Sequence, residues 1–277
     1  MIETDFPHGL RHWMRVFGGF LRLDFIQAIS YPLSFAMSQV AVLVPVIIYF
    51  FVAQLLVRPP SSVGGDYFTY VVIGLAGFGI LGGGLRGFGS RLELALQQGQ
   101  FEAMLIEPIK WRLLPFAMTQ WSLILGTILG LIVLAFGGLL GAEYALAGIP
   151  SAMAIVALAM VASVAIGALS ASLLLLAKRS RNVLALYTLA ASILSGVFFP
   201  VEMLPEAVQK LSWVIPHTYA INALRGVLMA EPPQDAMSLT TSLIALIIFN
   251  VIVFPLAIWL FGRSLEEGRK YGMLGSY

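Results

Sequence analysis

Few residues in this chain have the types and spacing that chemistry needs. The three histidines, His8, His12 and His217, stand outside the apolar runs with no ligand spacing around them, so no metal site is expected. There is no cysteine, which excludes disulfides, a thiolate metal site and redox chemistry on sulfur. Gly77, Gly79 and Gly82 have GxGxxG spacing. A dinucleotide fingerprint would need a preceding strand, a following helix and a ribose-binding acid inside a soluble βαβ unit, and that context is missing. Close packing of two membrane helices explains these glycines better. A phosphate-binding loop requires Gly-Lys followed by Ser or Thr, but the four lysines precede Trp111, Arg179, Leu211 and Tyr271. No ATP site is found on this chain.

What remains is an unusual stretch, "GVFFPVEMLPEAVQKLSWVIPHTYAINALRG", from Gly196 to Gly226. It is too apolar for a solvated loop and too interrupted for a spanning helix. Pro200, Pro205 and Pro216 divide it, predicting two short helices, about Pro205 to Trp213 and Thr218 to Met229, with a turn at Ile215 to His217. Backbone that leaves the helix at membrane depth survives only where protein or water covers it. The expectation is a re-entrant hairpin over 200–230 that caps one end of a bundle. Glu202, Glu206, Lys210 and Arg225 are expected at its wet rim, with Trp213 and Tyr219 in the interfacial belt.

The elements that position this stretch are apolar helices. The 277 residues are 59% hydrophobic and 11% charged, with a mean hydropathy of +0.92, against roughly 25% charged in ordinary soluble domains. That composition predicts an all-α, polytopic membrane protein forming one transmembrane domain over 1–277. Runs of about 20 apolar residues cross a hydrocarbon core about 30 Å thick, and six are expected: Leu33 to Val57, Tyr67 to Phe88, Leu113 to Leu140, Ser151 to Ala177, Val183 to Phe199 and Leu239 to Phe261. With both termini cytoplasmic, thirteen Lys and Arg fall inside and three, Arg58, Lys210 and Arg225, outside. The positive-inside rule therefore predicts that topology, in a plasma (inner) membrane. The N-terminus carries acids and reaches no apolar core before Pro32, so no cleavable signal is expected.

Two further segments complete the scheme. Over 8–30, at about 100° per residue, Arg11, Arg15 and Arg22 gather within ~40° of one another, opposite Leu10, Trp13, Phe17, Phe20 and Leu21. That is an amphipathic interfacial helix. The connection 90–112, "SRLELALQQGQFEAMLIEPIKWR", predicts a helix broken at Gly99, a short amphipathic piece and a stop at Pro108.

The 196–226 segment resembles the signature of the type-2 permeases of ABC exporters through Gly196, Phe198, Phe199, Pro200, Leu204, Pro205, Trp213, Pro216, Tyr219, Leu224, Arg225 and Gly226. The loop "GQFEAMLIEPIKWRLLPF" is similar to that family's coupling helix. Together with the interfacial helix, the spans and the inside termini, the likeness covers essentially the whole chain.

The resemblance implies a non-enzymatic transmembrane subunit working as a homodimer or related heterodimer with two cytoplasmic P-loop ATPase subunits. ATP and magnesium would sit on those partners, with no cofactor here. The implied cargo is hydrophobic or amphiphilic: a drug, a lipid or a lipid-linked glycan. The resemblance also implies ATPase coupling at Gln98, Gly99, Phe101, Glu102, Leu105, Glu107 and Pro108, and a gate at Phe198, Phe199, Pro200, Glu202, Pro205, Trp213, Pro216, Tyr219, Arg225 and Gly226. The first and fifth spans are expected near the dimer interface.

Other readings are weaker. A gradient-driven transporter usually carries ionisable groups within its spans, whereas the mid-membrane polar residues here are neutral: Gln39, Gln54, Ser163 and Asn250. An intramembrane enzyme needs convergent acids, and these are scattered over loops on both sides. A non-transporting scaffold stays open. No feature points to nucleic acid.

Overall fold

Proline and glycine divide the chain into helices much as they divide the sequence. A computed structural model describes residues 10–56, 63–101, 111–177, 180–233 and 237–270, and regular structure among them is entirely helical. In chain order the helices are α1 (Leu10–Ser30), α2 (Pro32–Val40), α3 (Val44–Leu55), α4 (Tyr67–Gln97), α5 (Leu114–Leu139), α6 (Ile149–Ala177), α7 (Ser180–Leu194), α8 (Glu206–Ser212), α9 (Pro216–Leu228) and α10 (Leu239–Lys270). Prolines occupy the first turns of α2, α3, α5 and α9, where their missing N–H costs nothing. Asp66 caps α4, accepting hydrogen bonds from the Thr69 backbone N–H at 2.8 Å and from its hydroxyl at 2.9 Å.

Among the described residues five helical stretches are long and apolar enough to cross a membrane: Pro32–Leu55 (α2 and α3 joined by a 3₁₀ turn), Tyr67–Gln97, Trp111–Leu139, Leu146–Leu176 and Leu239–Gly268. The predicted fifth span, 183–199, is corrected. Its helix, α7, stops at Leu194, and its apolar part runs only from Leu184 to Leu194. Eleven residues rise about 16 Å, roughly half a hydrocarbon core. The stop has a local cause, because Gly196 sits at φ +76°, a left-handed conformation that an L side chain resists. Elsewhere the helices outrun the predicted spans: α4 continues nine residues past Phe88, and α10 nine past Phe261. Apolar patterning locates the lipid-soluble part of a helix rather than its end.

α4 is the central strut. It packs along α5 and α6, and α6 packs along α10. The close approach of α4 to its neighbours depends on glycine. A Cβ on Gly83 would collide with the Ser122 carbonyl, one on Gly84 would lie 2.5 Å from Ser163 Cβ on α6, and one on Gly126 would lie 3.1 Å from the Gly79 carbonyl. Of the three glycines with fingerprint spacing, Gly77 faces Leu224 and Ile221 of α9, where a Cβ would lie 3.1 and 3.3 Å from their side chains. Gly79, by contrast, faces open space, so the packing expected of these glycines holds for Gly77, as for small residues in membrane-helix interfaces, and not for Gly79.

A paired substitution tests this packing. Gly84→Leu should cost about 1–3 kcal/mol through overpacking and lower the melting temperature in detergent. Gly79→Leu, whose Cβ would meet nothing within 4 Å, should leave the melting curve nearly unchanged. Equal effects from the two would contradict the packing assignment.

Candidate functional site

The two short helices predicted for the 196–226 segment are present as α8 and α9, and a 3₁₀ turn at Val201–Met203 precedes them. They are tied to each other by side chains that cap backbone groups. The Thr218 hydroxyl donates to the Ser212 carbonyl at 2.7 Å, Gln209 donates to the carbonyls of Glu202 and Leu204 at 3.1 and 2.8 Å, and the Tyr219 hydroxyl donates to the Trp213 carbonyl. Asn222 binds the Met237 carbonyl at 2.6 Å and Ser242 at 2.8 Å, fastening α9 to the start of α10.

Arg225 is the correction that matters most. It does not sit at a wet rim: it is 3% exposed, locked between α9 and α4. Its Nε donates to the Tyr70 carbonyl at 3.1 Å, its Nη2 donates to the Val197 carbonyl at 2.9 Å, and its guanidinium lies 3.4 Å from the centre of the Tyr70 ring. A guanidinium stays protonated in proteins, so the clamp holds a cation.

The carbonyls on either side of Val197 are taken by α4 as well. The Tyr70 hydroxyl donates to Gly196 at 3.3 Å and the Tyr67 hydroxyl to Phe198 at 3.0 Å. Three successive carbonyls beyond the end of α7 thus receive side-chain donors, as buried backbone requires. Gly74 makes room for the clamp, since a Cβ there would stand 2.5 Å from both Arg225 Nη2 and the Val197 carbonyl.

The other hairpin residues divide by exposure. Pro200 and Pro216 are buried, Phe198 and Phe199 are half-buried, and Phe198 stacks on Tyr49 of α3 at 5.1 Å. Glu202, Pro205, Glu206, Lys210, Trp213 and Gly226 are exposed, and Tyr219 is half-buried. Beneath them a cavity of about 30 Å³, lined by Tyr70, Glu202, Asn222 and Arg225, has room for water and nothing larger. His217 is also buried, with its ring 5.6 Å from that of Phe78 and its Nδ1 3.4 Å from the Tyr187 hydroxyl.

The opposite end of the bundle holds the predicted coupling segment. Gly99 ends the helix as expected, at φ +66°, with Gln98 and Gly99 exposed. Phe101 is not a surface contact: it is fully buried in a cluster with Phe88, Leu92, Leu114, Phe261 and Leu265. Glu102, Leu105, Glu107 and Pro108 lie outside the described residues.

α1 is an N-terminal helix with Arg15 and Arg22 exposed and Trp13, Phe17 and Phe20 half-buried, as its pattern predicts. The side chain of Arg11 lies outside the described residues. What patterning missed is Asp24, 2% exposed, which forms an ion pair with Arg91 of α4. Gln120 of α5 adds a hydrogen bond to the Phe17 carbonyl at 2.6 Å, and Trp121 meets Phe25 edge-on at 6.0 Å. A lone acid among apolar residues just before a span was the available signal. Between α4 and α7 runs an open groove of about 740 Å³, walled by Phe78, Ser90, Glu93, Leu184, Thr188 and Ser192.

The model of one family, described as "ABC-2 type transporter", matches residues 21–229, from the middle of α1 to the end of α9. The chain belongs to the ABC-2 type transporter family. No curated protein matches it at a significant level. This ABC-2 chain is therefore a multi-pass helical membrane permease subunit and is not itself catalytic. The matched span contains both the Arg225 clamp and the Asp24–Arg91 pair.

Arg225→Gln should leave the Tyr70 and Val197 carbonyls poorly satisfied, at about 1–3 kcal/mol each. Arg225→Lys should rescue it only in part, because an ammonium cannot reproduce the planar fork. Asp24→Asn should destabilise by about 3–5 kcal/mol by stranding Arg91, with Asp24→Asn/Arg91→Gln milder than the single change. Melting temperatures of the purified variants check both orders.

Proposed function

We propose that this permease subunit serves an ATP-driven exporter, pairing with a second copy or a related permease and with two cytoplasmic P-loop ATPase subunits. The observation that carries the reading is the continuity of α4. One helix of 31 residues, about 46 Å long, joins the Arg225 clamp to the exposed turn at Gln98 and Gly99. A push at that turn reaches the hairpin through a single stiff rod, and the buried Phe101 fixes the chain just beyond the turn to the same core as α10. The chain has no Gly-Lys-Ser/Thr motif, so the ATPase must come from elsewhere.

In this reading both termini are cytoplasmic, α7 and the turn at 195–200 complete a sixth, broken passage, and α8 and α9 form the re-entrant outer hairpin. Gln98, Gly99 and Glu102 face the ATPase, with Leu105, Glu107 and Pro108 completing the coupling segment, and Arg225 holds the outer gate. The groove between α4 and α7 suits an amphiphilic cargo, because both walls mix polar groups (Ser90 and Glu93 on α4, Thr188 and Ser192 on α7) with apolar ones (Phe78, Leu94, Leu184 and Leu189). The lipid-soluble faces of α2, α3 and α7, with Leu33, Met37, Phe51, Leu186 and Leu189 exposed, are available to a second permease.

Gentle solubilisation of the tagged chain from its native membrane should recover a P-loop ATPase in equal amount, with ATP hydrolysis by the complex. Gln98→Ala/Glu102→Ala should keep the permease stable while reducing transport per ATP hydrolysed by about tenfold or more, equivalent to roughly 1.4 kcal/mol of coupling. Purification of the permease alone, or unchanged transport by the double variant, would overturn the assignment.

A further inference from the structure

At the end of the bundle that carries Gln98, a second groove of about 720 Å³ opens between the 3₁₀ turn Trp111–Leu113 and the last turns of α10. It is built differently from the groove along α7. Its apolar lining is Phe254, Pro255 and Ile258, and the exposed Arg112, Arg263 and Glu266, with the half-buried Glu267, form its polar mouth. From Phe254 to Arg263 the helix rises about 14 Å, the depth of a headgroup and the first carbons of its chains. Pro255 inside α10 removes one backbone N–H from the ladder on this wall. The indole of Trp111 seats against Gly262, where any Cβ would collide with it, so the two walls are held in fixed relation.

The polar mouth has unused capacity. Arg263 directs its Nε to Glu267, at 3.3 Å, its guanidinium lies 5.6 Å from the Trp259 ring, and its terminal nitrogens have no carboxylate partner among the described residues. Arg112 lies 5.3 Å from the Trp111 ring and has no carboxylate partner among the described residues. Two guanidinium groups flanking one opening, each beside a tryptophan, form a phosphate-binding arrangement at interfacial depth. Among the described lining residues two carboxylates, Glu266 and Glu267, stand beside the two guanidinium groups, so the mouth offers partners of both signs. A headgroup carrying both a phosphate and a primary ammonium matches both signs, its N–H groups donating to Glu266.

We propose that the groove between Trp111–Arg112 and α10 is a site for a phosphoethanolamine-type phospholipid, with Arg112 and Arg263 on the phosphate, Glu266 on the ammonium, and Phe254 and Ile258 along the acyl chain. Such a lipid bridges the chain just beyond the coupling segment to the last helix. It is a structural ligand, separate from cargo in the α4–α7 groove.

The test is native mass spectrometry of the full chain after exchange into nanodiscs of equal parts phosphatidylethanolamine, phosphatidylglycerol and phosphatidylcholine, together with melting temperatures on adding each lipid. The wild type should retain phosphatidylethanolamine over phosphatidylcholine and be stabilised more by it. Arg112→Gln/Arg263→Gln should lower retained phospholipid by roughly fivefold for each arginine removed. Glu266→Gln should keep total phospholipid while losing the ethanolamine preference. Because all three side chains are exposed, each variant should match the wild-type melting temperature without added lipid. Retention that ignores headgroup, a preference for phosphatidylglycerol, or arginine variants that keep their lipid but lose a co-purifying ATPase would each overturn the proposal. The last result would mean that this groove faces protein.

Discussion

One buried guanidinium organises the hairpin end of this protein. A chain that leaves the helix where it is buried exposes carbonyls that need donors, each one left unmet costing about 1–3 kcal/mol. Between α7 and α8 three such carbonyls occur in succession, and Arg225, Tyr70 and Tyr67 supply the donors. The break is tolerated because α9 and α4 bring those donors to it. The same requirement places glycine at 74, where the clamp needs the space, and at 196, where the backbone turns left-handed.

The clamp and the coupling end are two ends of one helix. α4 offers glycines to α5 and α6 along its middle, tyrosines to the hairpin at its start and Arg91 to α1 near its finish. The glycines let α4 pack closely along α5 and α6, which fixes the place of the hairpin relative to the rest of the bundle. Asp24 extends the connection to α1. A buried ion pair is a poor source of net stability, because desolvation offsets its attraction, but it is strongly selective for one registration of two helices. Its place between α1 and α4 suits positioning better than strength.

Much of the candidate site was legible in the residues. The prolines at 205 and 216 gave the two short helices within a few residues, and Gly99 marked the helix end, because proline and glycine act on the local backbone whatever surrounds them. Arg225 was misplaced at a wet rim because charge alone points to water. Only Tyr70 and Val197, 155 and 28 residues away in sequence, show why this cation is buried. Phe101 was misread for the same reason: its amphipathic neighbourhood predicts a surface helix, while Phe88 and Phe261 enclose it from other helices.

Composition and apolar run length were enough to establish an all-helical membrane protein, because solvation by lipid acts on each segment separately. The absence of a phosphate-binding loop was likewise a property of the string. Tertiary structure decided where the fifth apolar run stops, which charges are buried, and which glycines bear on a neighbour. Those outcomes depend on donors, acceptors and van der Waals surfaces that meet only after distant helices pack, and no local pattern records them.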